Sequence, residues 1–288
     1  MVKASPKKQA RKQAARTFNS NSILSRGSTG VLNRGESVLL YGQAGIGKTT
    51  LASYAPSCCY MVHKREQGIY DLKRKNLIPS SVHVQPPFEN WDTLCETLEA
   101  LTNEDHDFKT LCIDSMKWVE HCVYTQCAKD NTDYQNERGE VDWARFNRFM
   151  NGPDTAKNEY WPKLIDQFDL LLDKGINVLI LGHCETVSHD PPIGSPYIRY
   201  APDINKRSYA PLNTWLTHIL FYNREVTTRK DKNILAKRKA DPNATSTRYI
   251  QTNWSPAYEA KSKGLADDIE IPEGYTEAWK ALNAELKW

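Results

Sequence analysis

From residue 36 onward, short apolar runs alternate with amphipathic stretches of helical period. Runs at 37–41, 58–63, 110–113 and 176–181 are four to six residues long and nearly continuous in apolar character, as expected of strands covered on both faces. A weaker run at 82–85 is read as one more strand. Between them, Trp91, Leu94, Cys95, Leu98 and Leu101 recur at helical spacing behind Asn90, a good N-cap residue. Trp161, Leu164, Ile165, Phe168, Leu171 and Leu172 do the same, and Gly175 is placed to end that helix. Strand and helix in alternation predict a mostly parallel sheet with helices on both faces. Two stretches lack a convincing period: 129–160, read as an insertion or long loop, and 185–211, read as a long Pro-, Tyr- and Gly-bearing loop. Runs at 217–226 and 247–252 flank a basic connection (Arg229, Lys230, Lys232, Lys237, Arg238, Lys239) and predict an antiparallel extension of the sheet, before a C-terminal helix in 273–288.

Composition narrows the class. The chain has 288 residues, 40% hydrophobic and 25% charged, which suits one soluble α/β domain with insertions. Its longest apolar run, 176–181, falls far short of the roughly 20 residues needed to cross a bilayer, so no membrane contact is expected. The seven cysteines (Cys58, Cys59, Cys95, Cys112, Cys122, Cys127, Cys184) are odd in number and form no C-x-x-C, the usage of buried thiols in a reducing compartment rather than of a zinc site. Charge is uneven: residues 1–35 carry eight Lys or Arg and no acid, leaving 30 basic against 35 acidic side chains in the body. Such a head reads as a solvated tail able to contact phosphates, or simply as a disordered leader. It has no apolar segment of a secretory signal, although its Arg-rich, acid-poor character also suits an organellar transit peptide. The expected organisation is a basic tail over 1–35, a core domain over 36–272 and the C-terminal helix over 273–288, in a cytoplasmic protein.

The chemistry begins at Gly42-Gln43-Ala44-Gly45-Ile46-Gly47-Lys48-Thr49, which satisfies G-x-x-x-x-G-K-[ST] between a predicted strand and a helix opened by Thr50. Backbone N–H groups of such a loop converge on the phosphates of a nucleoside triphosphate, Lys48 reaches the β- and γ-phosphates, and the Thr49 hydroxyl ligates Mg²⁺. A carboxylate fixed at a strand end must help hold the metal, and Asp114 closes the run 110–113; a plain strand-terminating turn is the alternative. Past the second strand, Glu66 is the candidate base that orients or deprotonates water, or else an ordinary loop acid. His183 ends the fifth strand at the carboxyl edge, where open α/β sheets bind ligands, and can serve as a γ-phosphate sensor or as a structural histidine. Lys261 and Lys263 follow the last predicted strand and by spacing alone form a solvated basic turn.

Taken in order, the glycine loop, Glu66, Asp114-Ser115, His183 and Lys261-x-Lys263 resemble phage-encoded RecA-like ATPases, including the Sak-type single-strand annealing group. The resemblance spans about residues 36–272. It implies an α/β RecA-like P-loop NTPase core with the fifth strand between those carrying the glycine loop and Asp114. It also implies ATP and Mg²⁺ held at subunit interfaces, with Lys261 and Lys263 offered to the neighbour's γ-phosphate. Single-stranded DNA, further copies of the chain and a single-strand binding protein are the implied partners, in the host cytoplasm if the source is a phage. The corresponding DNA segment here holds Tyr197, Arg199, Tyr200, Lys206, Arg207 and Tyr209, an interleaving of aromatic and basic residues suited to single strands or to a structural loop. The sequence departs from the RecA recombinases at His183, where they carry glutamine, and in the unmatched stretch 129–160.

The expected function is ATP-dependent single-stranded DNA binding in phage recombination or annealing, with DNA-stimulated hydrolysis. A RecA-like helicase or translocase motor shares every motif, although no second domain is evident. A P-loop small-molecule kinase would use Arg248 and the region 224–239 as its lid, and a nucleotide switch would bind ATP without turning it over.

Overall fold

A computed structural model describes residues 33–225, 228–229, 239–240 and 247–288. In chain order its elements are β1 (Ser37–Gly42), α1 (Lys48–Ala52), β2 (Cys58–Val62), α2 (Gly68–Arg74), β3 (His83–Val84), α3 (Trp91–Asn103) and β4 (Thr110–Asp114). Next come α4 (Met116–Asp130), α5 (Trp143–Asn147), α6 (Asn151–Thr155), α7 (Trp161–Asp173), β5 (Asn177–His189), β6 (Tyr197–Pro202) and α8 (Lys206–Trp215). The chain closes with β7 (His218–Arg224), β8 (Thr228–Arg229), β9 (Lys239–Ala240), β10 (Arg248–Gln251), β11 (Asp268–Ile271) and α9 (Tyr275–Leu286).

The main sheet runs β11-β10-β7-β1-β5-β4-β2-β3, with β6 paired to β5 alone. Strands β7 through β3 are parallel neighbours, while β10 and β11 add antiparallel ladders at one edge. As the resemblance implied, β5 lies between β1 and β4. The continuous apolar runs have their reason in two cores. Leu39, Tyr41, Cys59, Met61, Leu111, Ile113, Val178 and Ile180 face α3, α4, α7 and α8. Val38, Leu40, Tyr60, Val62, Cys112, Leu179 and Leu181 face α1, α2 and α9. Alternate residues of one strand thus serve opposite cores, and burial on both sides erases the polar alternation of a one-faced strand.

The helix signals act as expected. Asn90 accepts from the Thr93 backbone N–H at 3.0 Å while the Thr93 hydroxyl accepts from the Asn90 N–H at 3.2 Å, a reciprocal cap on α3. Gly175 has φ 78° just beyond α7. All seven cysteines are free thiols, five of them buried.

Several expectations need correction. The stretch 129–160 is not a loop: it contains the end of α4, then α5 and α6 with short 3₁₀ and π turns, and buries Phe146, Ala156 and Tyr160 in the α3/α4/α7 core. Its period is broken because no helix there exceeds five residues after α4, so no amphipathic stripe can develop. The stretch 185–211 is not a loop either. It comprises the outer half of β5, the hairpin to β6 and most of α8, and its strands lack alternation because β5 leaves the main sheet there and β6, its partner, meets the 257–259 segment only at Tyr200. The antiparallel extension holds a further strand, β11, that the sequence reading omitted. Residues 1–32 and the side chains of the basic connection between β7 and β10 lie outside the described residues. Arg34, counted with the basic head, is paired with Asp169 and Asp173 of α7, each at 2.7 Å.

Candidate nucleotide site

The carboxyl ends of β1, β5, β4 and β2 bring the candidate residues together. β1 ends at Gly42, which lies so close to β7 that a Cβ there would run into the Tyr222 carbonyl oxygen. The loop then turns through Gly45 (φ 77°) and Gly47 (φ 108°), left-handed conformations that only glycine adopts without strain. These angles let the chain double back over the strand end before α1 starts at Lys48.

Lys48 is buried and donates from Nζ to the Gly42 carbonyl at 2.8 Å and the Gln43 carbonyl at 2.9 Å. Burial draws its pKa down, opposed by the nearby Asp114, Cys184 and Glu66. The Thr49 hydroxyl donates to Asp114 Oδ2 at 3.0 Å, and the buried Tyr60 hydroxyl donates to the same oxygen at 2.9 Å. Burial pushes the Asp114 pKa up against the pull of these two hydrogen bonds, with the Glu66 charge adding to the rise. The β2/β4 register sets Val62 beside Asp114, so the Glu66 connection emerges beside the Asp114 carboxylate. A Cβ on Gly68 would stand 4.0 Å from the Thr49 hydroxyl, which puts the 66–68 turn against the start of α1. Glu66 accepts from Trp118 Nε1 at 2.8 Å.

His183 is level with Gly42 in the β1/β5 register, half-buried, and marks the point where β5 leaves the sheet for its hairpin. Sequence reading did not single out Tyr60, Trp118 or Cys184; none has a motif, and only the pairing of β2, β4 and β5 brings them to the site. Arg248 was weighed there only as part of a kinase lid. Its Nη1 comes 3.6 Å from where a Gly47 Cβ would stand, and its guanidinium also donates to the Pro272 carbonyl. A cavity of about 530 Å³ beside it is lined by Arg224, Glu273 and Tyr275, among others.

Oxygen donors from Thr49 and Asp114, with no cluster of three metal-binding side chains among the described residues, suit Mg²⁺. That ion commonly takes one or two protein ligands and completes its shell from phosphates and water.

A family model described as AAA domain matches residues 34–263. The chain belongs to the AAA domain family. Its AAA domain therefore covers the glycine loop, the Asp114 strand, Glu66, His183 and both lysines of the C-terminal pair. With its strand order, this makes the chain a RecA-like P-loop ATPase. No curated protein matches it. Among solved structures, the flagellar accessory protein FlaH from Methanocaldococcus jannaschii is similar at 10% identity and a TM-score of 0.39, over 88% of this chain and 92% of that one.

Two sets of candidates are not at this site. Lys261 exchanges backbone hydrogen bonds with Ile219, which is level with Leu39 in β1, and its Nζ donates to the Asn213 carbonyl. Gly42 is three residues further along, about 10 Å of strand, so Lys261 and the adjacent Lys263 lie toward the opposite end of the sheet from the glycine loop. In the AAA domain's hairpin region, Arg199 is pinned by Glu259 at 3.2 Å, and Tyr200 stacks on Phe221 at 5.2 Å. Tyr209 has a buried hydroxyl with no hydrogen-bond partner among the described residues. Tyr197 packs on His189, while Lys206 and Arg207 are exposed at the start of α8, Arg207 pairing with Asp154 at 3.0 Å. No described helix is long and apolar enough to cross a membrane.

Proposed function

We propose that the chain hydrolyses ATP with Mg²⁺ in an assembly of its own copies, and that single-stranded DNA stimulates the reaction in recombination or annealing of the Sak type. The observation that carries the nucleotide half is the Thr49–Asp114 hydrogen bond at 3.0 Å beside Lys48 and Glu66. Thr49 and Asp114 would hold Mg²⁺, which would supply charge neutralisation on the triphosphate; Lys48 would turn from the loop carbonyls to the phosphates, and Glu66 would orient the attacking water. In this reading Lys261 and Lys263, which lie toward the opposite end of the sheet from their own glycine loop, act in trans: Lys261 would exchange the Asn213 carbonyl for a neighbour's γ-phosphate and stabilise transition-state charge.

The DNA half rests on less of the original segment. Arg199 and Tyr200 are spent on internal packing, leaving Tyr197 and Lys206, with Arg207 drawn from its exposed pair with Asp154, to meet bases and phosphates. β5 links that region to His183 at the nucleotide edge, which suits coupling between the two ligands.

The test is phosphate release with Mg²⁺ and ATP, with and without a single-stranded oligonucleotide at two salt concentrations, using Lys48→Ala as the blank. Salt-sensitive stimulation is the expected result. Turnover without any DNA binding would leave the ATPase and remove the DNA role.

A further inference from the structure

Glu66 stands on the short connection between β2 and α2, where a carboxylate has several accessible rotamers. A group that orients water must hold one of them. The fixing contact is the Trp118 indole, whose Nε1–H donates to Glu66 Oε1 at 2.8 Å. Trp118 lies in the first turn of α4, its backbone N–H bonded to the Ser115 carbonyl at 3.0 Å, so it is tied to the same strand end as Asp114.

The indole is itself held on several sides. His63, buried at the end of β2, stacks on it with centroids 4.2 Å apart and planes within 8°. The Arg65 guanidinium lies 5.4 Å from its ring, and His121 meets it edge-on at 5.7 Å. His121 in turn stacks on Trp143, the first residue of α5, at 6.4 Å. The chain of contacts therefore runs from the candidate base to a side chain supplied by the 129–160 segment.

We propose that Trp118 is the positioning residue of the hydrolysis: its indole N–H holds Glu66 in the orientation that serves the attacking water, and the His63, His121 and Trp143 rings keep the indole in place. This rests on the reading of Glu66 as the base, and it gives the 129–160 segment a task, that of buttressing the catalytic carboxylate from outside.

The experiment is steady-state hydrolysis and ATP affinity for Trp118→Phe, Glu66→Gln, their double variant and Trp143→Ala, each checked by thermal unfolding. Trp118→Phe keeps a ring against His63 but loses the N–H. It should lower kcat roughly tenfold, the scale of one hydrogen bond to a charged group, with KM and ATP affinity unchanged. The double variant should be no slower than Glu66→Gln alone, because both remove one device. A folded Trp118→Phe with wild-type kcat, beside a Glu66→Gln that has lost it, overturns the inference while leaving Glu66 as the base. A Glu66→Gln with wild-type kcat removes the base assignment and the inference together. Should Trp118→Phe not fold, Trp143→Ala, 41% exposed in the native chain, decides: about a threefold lower kcat at unchanged KM supports the relay, and unchanged kcat overturns it.

Discussion

The nucleotide edge and the hairpin region both gather charged and aromatic residues, yet they use them in opposite ways. At the edge, Lys48, Thr49, Asp114 and Tyr60 bond to one another or to the loop backbone, and Glu66 to Trp118, around the glycine loop. In the hairpin, Arg199 and Tyr200 turn inward and are consumed by Glu259 and Phe221. Composition alone does not separate these cases. What separates them is what the bonded groups surround: the turn of the glycine loop in one case, the packed contact between β6 and the 257–259 segment in the other.

Four measurements break or sharpen that contrast. The largest effect belongs to Lys48→Ala, which should reduce phosphate release by about 100-fold or more while leaving thermal stability near wild type, since Lys48 bonds only to loop carbonyls. A variant that unfolds instead would make Lys48 structural and blur the distinction. Next, Glu259→Ala strands the largely buried Arg199 and should cost roughly 3 kcal/mol in denaturant unfolding; a neutral result would return Arg199 to the candidate ligand contacts. The paired substitution Lys206→Ala with Arg207→Ala should change stability by less than about 0.5 kcal/mol per site. If these cations contact phosphates, it should also flatten the salt dependence of oligonucleotide binding by about 1.4 in log–log slope.

The remaining measurement is a pH dependence. Burial, with His121, Arg65 and Lys64 nearby, pushes the His63 pKa down to about 4 from 6.5. The unfolded chain then binds more protons between those values, so the contribution of neutral His63 is full above about 6.5 and is lost as pH falls toward 4. Melting temperature should drop across that window, and less so in His63→Phe. An identical acid profile in both proteins would assign the loss to other groups.

The parts of the site written as local patterns were legible. Gly42 to Thr49 shows itself because its backbone angles demand particular residues at fixed spacing, and Asp114 because an apolar run stops at an acid. Lys261 was legible as a cation but not as to where it lies, because that depends on pairing with Ile219, 42 positions earlier in the chain. Trp118 carried no signal: its helix, α4, mixes polar and apolar residues too evenly for a periodic stripe, and the Glu66 it bonds is 52 positions away. The 185–211 stretch misled for a related reason. Its outer strands pair with each other and, at Tyr200 alone, with the 257–259 segment, so their exposed side chains need not alternate, and Ile193 and Ile198 remain largely in solvent.

β5 has a mechanical consequence. Its inner six residues are clamped between β1 and β4, while its outer half pairs with β6, which is itself tied at Tyr200 to the 257–259 segment, so the strand is a cantilever propped at Thr186. From Thr186 to His189 the arm beyond that prop is about 10 Å long. A tilt of about 5° there would carry the tip by roughly 1 Å, a leverage set by strand length alone.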